Sequence, residues 1–290
     1  MKTLVAIFAH PDDESFGIGG TLAKYSHEAV NTYYVCATRG ESGTVDAEAL
    51  HDHNSIAELR TTELECASKE LGLQRVEYLN YRDSGMLGSE DNRHANSLFA
   101  VAMDDVAQRI IQQIQTLKPD VIITHDQFGG YGHPDHIKLH QATLRAYELM
   151  YGVKLTTNDH GLTVITEEAS NPATDVPRLY VTSLSRRFLK LAVRLLPLFG
   201  QDPHKFGRNK DIDLVQISSW FMPITAIINI RPYLPDKERA SACHHSQRPP
   251  AQQGNFITAL AFRRSQQTET FARLYPPIKR GERTETNLFV

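Results

Sequence analysis

Short apolar runs alternate with longer amphipathic stretches through the first half of this chain. The apolar runs predict strands at residues 4–9, 32–38, 76–79 and 121–124. Unbroken runs of this length are typical of strands buried on both faces of a parallel sheet. The amphipathic stretches predict helices at residues 17–30, 54–72, 97–117 and 136–151. This alternation predicts an α/β fold, Rossmann-like and doubly wound, with a mostly parallel sheet.

The pattern is weaker beyond residue 152. It predicts strands at residues 179–183, 212–217 and 256–262, a basic amphipathic helix at 186–198 and another helix at 236–244. We therefore assign residues 1–152 to an α/β core and residues 153–290 to a C-terminal elaboration that completes the sheet and a pocket, within a single domain. The polar segment 81–96 predicts a long loop over that pocket, because long loops in compact domains are often functional.

Charge gives no indication of a polyanionic partner. The 290 residues include 31 basic and 34 acidic side chains, for a net charge of -3. Neither nucleic acid nor an acidic membrane is expected to attract such a chain. We interpret the basic helix at residues 186–198 as a surface element, with membrane docking as a minor alternative. No secretion signal and no run of about 20 apolar residues is evident, so a cytoplasmic protein is expected.

The cysteines give no sign of a cross-link or of a thiolate metal site. Cys36, Cys66 and Cys243 are odd in number, widely spaced and form no CxxC pair. Disulfide frameworks and zinc cages usually show closer and even-numbered spacings. All three are therefore predicted to be reduced and structural.

Two motifs carry the candidate chemistry. His-Pro-Asp-Asp-Glu, residues 10–14, follows the first predicted strand, and His-Pro-Asp-His, residues 133–136, follows the fourth. Carboxyl ends of parallel strands meet at one edge of the sheet, so we expect the two loops to pair. Catalytic zinc takes three ligands of these types and leaves one position for water. His10, Asp13 and His136 are the predicted ligands.

Other polar groups in the two loops suggest supporting roles. Asp12 is placed to accept a proton from water held by the ion, whose bound water has a pKa near neutrality. His133 is expected to face the substrate and either donate a hydrogen bond to an oxyanion or protonate a leaving amine. His140 lies one helical turn after His136 and is a rival ligand. Glu14 is interpreted as orienting His10 rather than binding metal.

The sequence leaves the roles of three further side chains undecided. Asp135 either orients a group of the metal site or merely caps the following helix, and Asp126 either orients such a group or only supports the loop that carries the second motif. His245 either reaches the site from the C-terminal helix or lies at the surface. Spacing alone does not choose between these interpretations.

With the Gly-Tyr-Gly that precedes the second motif, the two loops resemble the LmbE-like, or PIG-L-like, zinc-dependent N-deacetylase family. The resemblance includes Arg60 with Glu63-Leu64 and the stretch 81–86, and extends more weakly to residues 244–247. Members remove acetyl groups from N-acetylglucosamine conjugates or open related amide bonds. They include the N-acetylglucosaminyl-inositol deacetylase of mycothiol biosynthesis and related bacillithiol-type deacetylases.

The resemblance implies specific roles. One Zn²⁺ per chain would be held by His10, Asp13 and His136, with Asp12 as general base, His133 as oxyanion or acid partner and Tyr131 polarising the substrate carbonyl. Arg60 would contact a distal polar group of the substrate and Asp83 its sugar hydroxyls, beside Met86. Gly17, Ile18 and the segment 206–211 depart from the mycothiol subgroup, so the chemistry carries over better than the substrate.

The predicted function is therefore removal of the N-acetyl group from an N-acetylglucosamine-containing conjugate by metal-bound water. A small amino-sugar conjugate is the expected partner, without nucleic acid or membrane, and a homo-oligomer is compatible with the sequence. Iron(II) is an alternative metal at such nitrogen and oxygen sites. Two rival functions stay open: an amidase acting on a mycothiol-like S-conjugate, and a non-catalytic metal-containing α/β binding module.

Overall fold

The computed structural model describes residues 1–50, 52–157, 163–168, 175–183, 186–206, 212–220, 222–247, 267–279 and 281–290. The strands are β1 Thr3–Phe8, β2 Asn31–Cys36, β3 Arg75–Tyr78, β4 Val121–Thr124, β5 Val153–Thr157, β6 Thr163–Glu168, β7 Arg178–Thr182, β8 Ala226–Asn229 and β9 Thr268–Tyr275. The helices are α1 Asp13–His27, α2 Ile56–Glu70, α3 Met103–Leu117, the single turn α4 Gly129–Gly132, α5 Pro134–Tyr151, α6 Arg186–Leu195, α7 Leu214–Ser219 and α8 Leu234–Cys243.

Seven strands form one sheet in the order β3-β2-β1-β4-β7-β9-β8. The first five run parallel, and β9 is antiparallel to both of its neighbours. Strands β5 and β6 form a separate antiparallel hairpin. The α/β prediction with a mostly parallel sheet is confirmed. Because the chain moves outward from β1 to β3 and then returns to place β4 on the other side of β1, a crevice opens at the carboxyl ends of β1 and β4.

The sheet is buried on both faces, which explains the unbroken apolar runs. Alternate residues of β1 point to opposite faces. Leu4 and Phe8 pack in the layer that includes residues of α1, α2 and α8, whereas Val5 and Ile7 pack with residues of α3 and α5. All of them are almost fully buried. This packing fixes the ends of β1 and β4, where both motifs begin.

Several predicted boundaries were wrong for local reasons. The helix predicted from residue 97 begins at Met103, because Ser97 pairs with Arg82 in a β-bridge. The strand predicted at residues 212–217 is wrong. Asp213 caps helix α7 there by accepting a hydrogen bond from the Gln216 amide at 3.0 Å. The strand predicted at 256–262 lies outside the described residues, and β5, β6, β8 and β9 were not predicted.

The cysteine prediction also needs correction. Cys66 in α2 and Cys243 at the end of α8 form a disulfide across 177 residues of sequence. Helices α2 and α8 pack side by side, so the two cysteines are close in space although they are far apart in the sequence. Cys36 is free and buried, as predicted for all three thiols.

Within the described parts of the chain, none of the helices combines the length and the apolar character that crossing a bilayer requires.

Candidate active site

The two motifs meet at the carboxyl ends of β1 and β4. His10 Nδ1 lies 3.1 Å from His136 Nε2. One Asp13 carboxylate oxygen is 3.6 Å from His10 Nδ1, and the other is 3.6 Å from His136 Nε2. The structure thus brings the three predicted ligands together, with two imidazole nitrogens and a carboxylate directed at one small volume.

The donor set fits a divalent metal ion. Overlapping groups of potential ligands among the described residues are His10, His133 and His136; Asp13, His125 and His136; and His10, Asp83 and Asp135. Nitrogen and carboxylate donors of this kind suit zinc or iron(II). The site is therefore a His/Asp cluster that can hold a metal.

The second ring nitrogen of His10 faces two carboxylates. Nε2 lies 3.4 Å from Asp135 Oδ2 and 3.5 Å from Asp83 Oδ1. Burial alone would lower the pKa of His10, but the carboxylates of Asp83, Asp13 and Asp135 outweigh it and hold that pKa well above its usual value. An Nε2–H donated to a carboxylate leaves the Nδ1 lone pair for an ion. Asp135 Oδ1 is buried and has no hydrogen-bond partner among the described residues.

His125 is a site residue that the sequence did not reveal. It follows β4 directly, as His10 follows the end of β1, and its ring stacks on His136 with centroids 3.8 Å apart. Its Nε2 accepts a hydrogen bond from the Ala9 amide at 3.0 Å, so that lone pair is already engaged. The only available sequence signal was its position at a strand end. His140, the rival ligand, uses Nδ1 to bond the His125 carbonyl oxygen at 2.9 Å.

Asp12 has an unusual backbone and is held from two sides. Its φ of 115° falls in the left-handed region that favours glycine, at a cost of about 1–3 kcal/mol. Glu14 Oε2 accepts from the Asp12 amide at 2.9 Å, and Arg60 donates to Asp12 Oδ2 at 2.9 Å and to the Pro11 carbonyl. Burial raises the pKa of Asp12 to about 7, against the opposing charge of Arg60. The buried Arg60 therefore faces Asp12 rather than open solvent.

His133 and Tyr131 stand on the other side of the cluster. His133 Nδ1 accepts from the Asp135 amide at 3.2 Å and caps α5, which leaves the proton of the neutral ring on Nε2. Burial, with the charge of His10, lowers the pKa of His133 to about 4, so the ring is neutral near pH 7. The Tyr131 ring is edge-on to His133 at 5.8 Å and stays 38% exposed.

A cavity of about 340 Å³ opens beside the cluster. It is lined by His10, Asp12, Ser42, Gly43, Thr44, Arg60, Asp83, Gly85, Met86, Ser89, Tyr131, His133, Ile212 and Gln247. The lining includes Arg60, Asp83 and Met86, predicted to bind substrate. Four lining residues, Asp83, Gly85, Met86 and Ser89, belong to the 81–96 loop predicted to overhang the pocket. The cavity's hydroxyl and amide groups from Ser42, Thr44 and Gln247 were not predicted.

Asp83 is fixed as a charged group in this cavity. It accepts hydrogen bonds from the amides of Gly85 at 2.8 Å and Ser42 at 3.2 Å. Burial alone would raise the pKa of Asp83, but the neighbouring His10 and the Gly85 amide hold it well below its usual range. A permanent carboxylate on a cavity wall can accept hydrogen bonds from ligand hydroxyls.

Residues after α8 close the back of the site. His244 is fully buried, and its Nε2 lies 2.6 Å from Glu14 Oε1. His245 is largely exposed and contacts Glu63 Oε1 at 2.9 Å. Glu14 belongs to none of the potential ligand groups among the described residues. It joins His244 to the Asp12 backbone instead of contacting His10.

Asp126 and Asp135 support the second loop. Asp126 Oδ1 accepts from the Phe128 amide at 2.7 Å, and Oδ2 from the Gly130 amide at 3.2 Å. Asp135 Oδ2 accepts from the Ser84 amide at 2.9 Å and so ties α5 to the 81–96 loop.

Comparisons with known proteins identify a family to which the chain is similar. The model of the family described as "PIG-L: GlcNAc-PI de-N-acetylase" matches residues 5–147. A 1D-myo-inositol 2-acetamido-2-deoxy-alpha-D-glucopyranoside deacetylase from Thermomonospora curvata is 31% identical over 88% of this chain and 84% of its own length.

Solved structures share the fold at lower identity. N,N'-diacetylchitobiose deacetylase from Pyrococcus horikoshii has a TM-score of 0.56 at 20% identity, over 94% of this chain and 83% of that one. The 4-carboxy-2-hydroxymuconate hydratase of Pseudomonas putida KT2440 also has a TM-score of 0.56, at 15% identity, over 97% of this chain and 100% of that one. A hydratase and a deacetylase on one fold show that the fold alone does not determine the reaction.

Proposed function

Because this chain belongs to the PIG-L family of de-N-acetylases, we propose that it removes the N-acetyl group from a small conjugate of N-acetylglucosamine. The family membership confirms the resemblance indicated by the two motifs, and it makes the chain an enzyme that hydrolyses amide bonds. The observation that carries the specific proposal is the convergence of His10, Asp13 and His136 beside an oriented carboxylate, Asp12.

We assign His10 Nδ1, the Asp13 carboxylate and His136 Nε2 as the ligands of a zinc ion. Zinc at such a site supplies a Lewis acid that lowers the pKa of water towards neutrality. The carboxylates of Asp83 and Asp135 fix the orientation of the His10 ring by accepting its Nε2–H. Iron(II) suits the same donors.

Asp12 is the proposed general base. It accepts a proton from the water that attacks the acetamide carbonyl carbon, while Arg60 and Glu14 hold the carboxylate in place. The new C–O bond gives a tetrahedral oxyanion. His133, whose Nε2 carries a proton, and the Tyr131 hydroxyl are proposed to donate hydrogen bonds to that oxygen.

The intermediate then breaks its C–N bond. Asp12 returns its proton to the departing nitrogen, which leaves as a free amine, and acetate is released. We prefer Asp12 over His133 as this acid, because burial keeps the His133 ring neutral near pH 7. One water is consumed and no other reactant is needed.

The cavity supports a small polar substrate. Its volume of about 340 Å³ and its serine, threonine and glutamine groups suit a hydroxylated sugar conjugate such as the compound named for the Thermomonospora curvata relative. We assign Asp83 to sugar hydroxyls and Met86 to the cavity wall. Arg60 is assigned to Asp12, because its contacts with Asp12 and Pro11 replace the distal substrate contact implied by the family resemblance.

A substrate panel on zinc-loaded protein tests the proposal. Acetate and free amine are measured for N-acetylglucosaminyl-inositol, N-acetylglucosamine, N,N'-diacetylchitobiose and a thiol S-conjugate of the same scaffold. We expect acetate release from at least one acetamido sugar. Cleavage of the S-conjugate alone would favour the amidase.

Asp12→Asn is the matched control for that panel. It keeps the shape of the side chain and is expected to lower kcat by about 10²- to 10⁴-fold with unchanged zinc content. Stoichiometric zinc with no release from any substrate would favour a binding module.

A further inference from the structure

We propose that His244 is a positioning residue that holds Asp12 in its working conformation through Glu14. The inference rests on the proposed function, in which Asp12 is the general base. His244 is outside the cavity lining and outside the potential ligand groups found among the described residues, so it does not act by touching substrate or metal.

Two hydrogen bonds join His244 to the Asp12 backbone. His244 Nε2 lies 2.6 Å from Glu14 Oε1, and Glu14 Oε2 accepts from the Asp12 amide at 2.9 Å. The Ser15 hydroxyl also donates to Glu14 Oε1, at 2.6 Å. His244 and Glu14 are fully buried, so water does not substitute for these partners. The Glu14 carboxylate therefore has its orientation fixed on both sides.

The Asp12 backbone needs such support. A φ of 115° is unfavourable for a residue with a side chain and persists only where its surroundings hold it. Glu14 holds the amide of Asp12, and Arg60 holds the Pro11 carbonyl and the Asp12 carboxylate. Removing one of these two supports should let Asp12 relax and turn its carboxylate away from the cavity.

The two supports are also fixed relative to each other. Arg60 lies on α2, and His244 directly follows α8. The Cys66–Cys243 disulfide joins these helices, and the amide and hydroxyl of Ser246 both donate to Glu63 on α2 at 2.8 Å. His244 Nδ1 has no hydrogen-bond partner among the described residues, so Glu14 is the single hydrogen-bond partner of the His244 side chain there.

A pair of amide substitutions tests this role. In His244→Gln the side-chain nitrogen reaches the place of Nε2, whereas in His244→Asn it reaches only that of Nδ1. We expect His244→Gln to keep kcat within about threefold and His244→Asn to lower kcat about 10- to 100-fold, because small misplacements of a catalytic group cost up to about 10²-fold. KM and zinc content should stay unchanged in both.

Ser246→Ala is the control for simple loosening of the same turn. It removes the hydroxyl bond to Glu63 but leaves Glu14 untouched, and the Ser246 amide bond and the Cys66–Cys243 disulfide still join α8 to α2, so we expect a lower Tm with unchanged kcat. Equal kcat losses in Ser246→Ala and His244→Asn, or equal losses in the two His244 variants, would overturn the proposal.

Cys66→Ser gives a second route if the buried substitutions prevent folding. It releases α8 from α2 at an exposed position, and we expect a smaller loss of kcat, about two- to tenfold, at unchanged KM. A lowered Tm with full kcat would contradict the proposed coupling between the helices.

A crystal structure of His244→Asn separates this inference from the proposed function. We expect Asp12 to leave its left-handed conformation and the Asp12–Arg60 contact to lengthen. An unchanged Asp12 would refute the positioning role even if the enzyme were active. If instead the wild type released no acetate while Asp12 moved in the variant, only the proposed function would fail.

Discussion

The two loops that form the site differ in how firmly they are held. After β1, the amide and the carboxylate of Asp12 are bound by Glu14 and Arg60. After β4, the chain passes through Gly129, Gly130 and Gly132, all with positive φ, and carries the half-exposed Tyr131. The β1 loop thus fixes the proposed base and two proposed ligands, whereas the β4 loop carries Tyr131 and His133, which are proposed to face the substrate.

The largest expected effect distinguishes His136, a proposed zinc ligand, from His125, which follows β4. His136→Gln should remove zinc and abolish activity, because it replaces the imidazole nitrogen that faces His10 Nδ1 with an amide, which is not among the usual protein ligands of zinc. His125→Gln keeps an acceptor for the Ala9 amide and should cost at most about 10- to 100-fold in zinc affinity. Zinc content after dialysis measures both, and the reverse ranking would move the ligand from α5 to the end of β4.

Tyr131→Phe is expected to have the second-largest effect. Loss of one donor to the oxyanion is expected to lower kcat by about 10²- to 10³-fold, with zinc content unchanged. Because the ring is 38% exposed and stays in place, Tm should not change. A wild-type kcat would exclude the hydroxyl from the reaction and leave the β4 loop with His133 alone.

Two glycine substitutions compare the backbone strain in the β4 loop with that in α1, the helix that follows the β1 loop. Gly130→Ala should lower the free energy of unfolding by about 1–3 kcal/mol, because a φ of 67° with a ψ of -74° is unfavourable for a residue with a side chain. Steric contact adds little, since a Cβ there meets only His136 Nδ1, at 3.9 Å. Gly17→Ala, in α1 after the β1 loop, has open space and ordinary φ and should raise the free energy of unfolding by up to about 1 kcal/mol. Urea denaturation measures both changes in the free energy of unfolding. Equal changes would mean that the two regions do not differ in backbone strain.

The smallest expected effect is a pH dependence of the support behind the β1 loop. Burial alone would lower the pKa of His244, but Glu14, Asp12 and Glu63 outweigh it and raise that pKa. A raised pKa contributes stability below the ordinary histidine value of about 6.5, and this contribution is lost as the pH rises through the raised value. The Tm difference between wild type and His244→Asn should therefore be larger at about pH 6 than at about pH 9. An equal difference at both would mean that the histidine charge does not contribute.

Sequence patterns predicted the part of the fold in which the apolar runs coincide with strands buried in the sheet. Strands β1 and β4 are buried on both faces, so their apolar runs are visible in the sequence, and the motifs follow where those runs end. Strand β9 is bordered by segments without such a pattern, and the capping role of Asp213 in α7 was not recognised.

In the candidate site, residues that belong to motifs were predicted, whereas residues that occur singly were missed. Residues grouped in motifs, such as His10 and His136, were found because several side chains occur together. His125 occurs singly after a strand, and His244 lies 230 residues from its partner Glu14. The Cys66–Cys243 pair likewise depends on the packing of α2 against α8, which no local spacing reveals.

The position of β9 has a consequence for the order in which the molecule can be completed during synthesis. Strand β8 bonds to β9 and, through Ala226, to Glu285, so both of these partners leave the ribosome after it. Glu269 of β9 also accepts hydrogen bonds from the Gly20 and Thr21 amides of α1, the helix that starts within the first motif. A further 249 residues therefore follow Gly20 in the nascent chain before the helix that starts within the first motif receives this support.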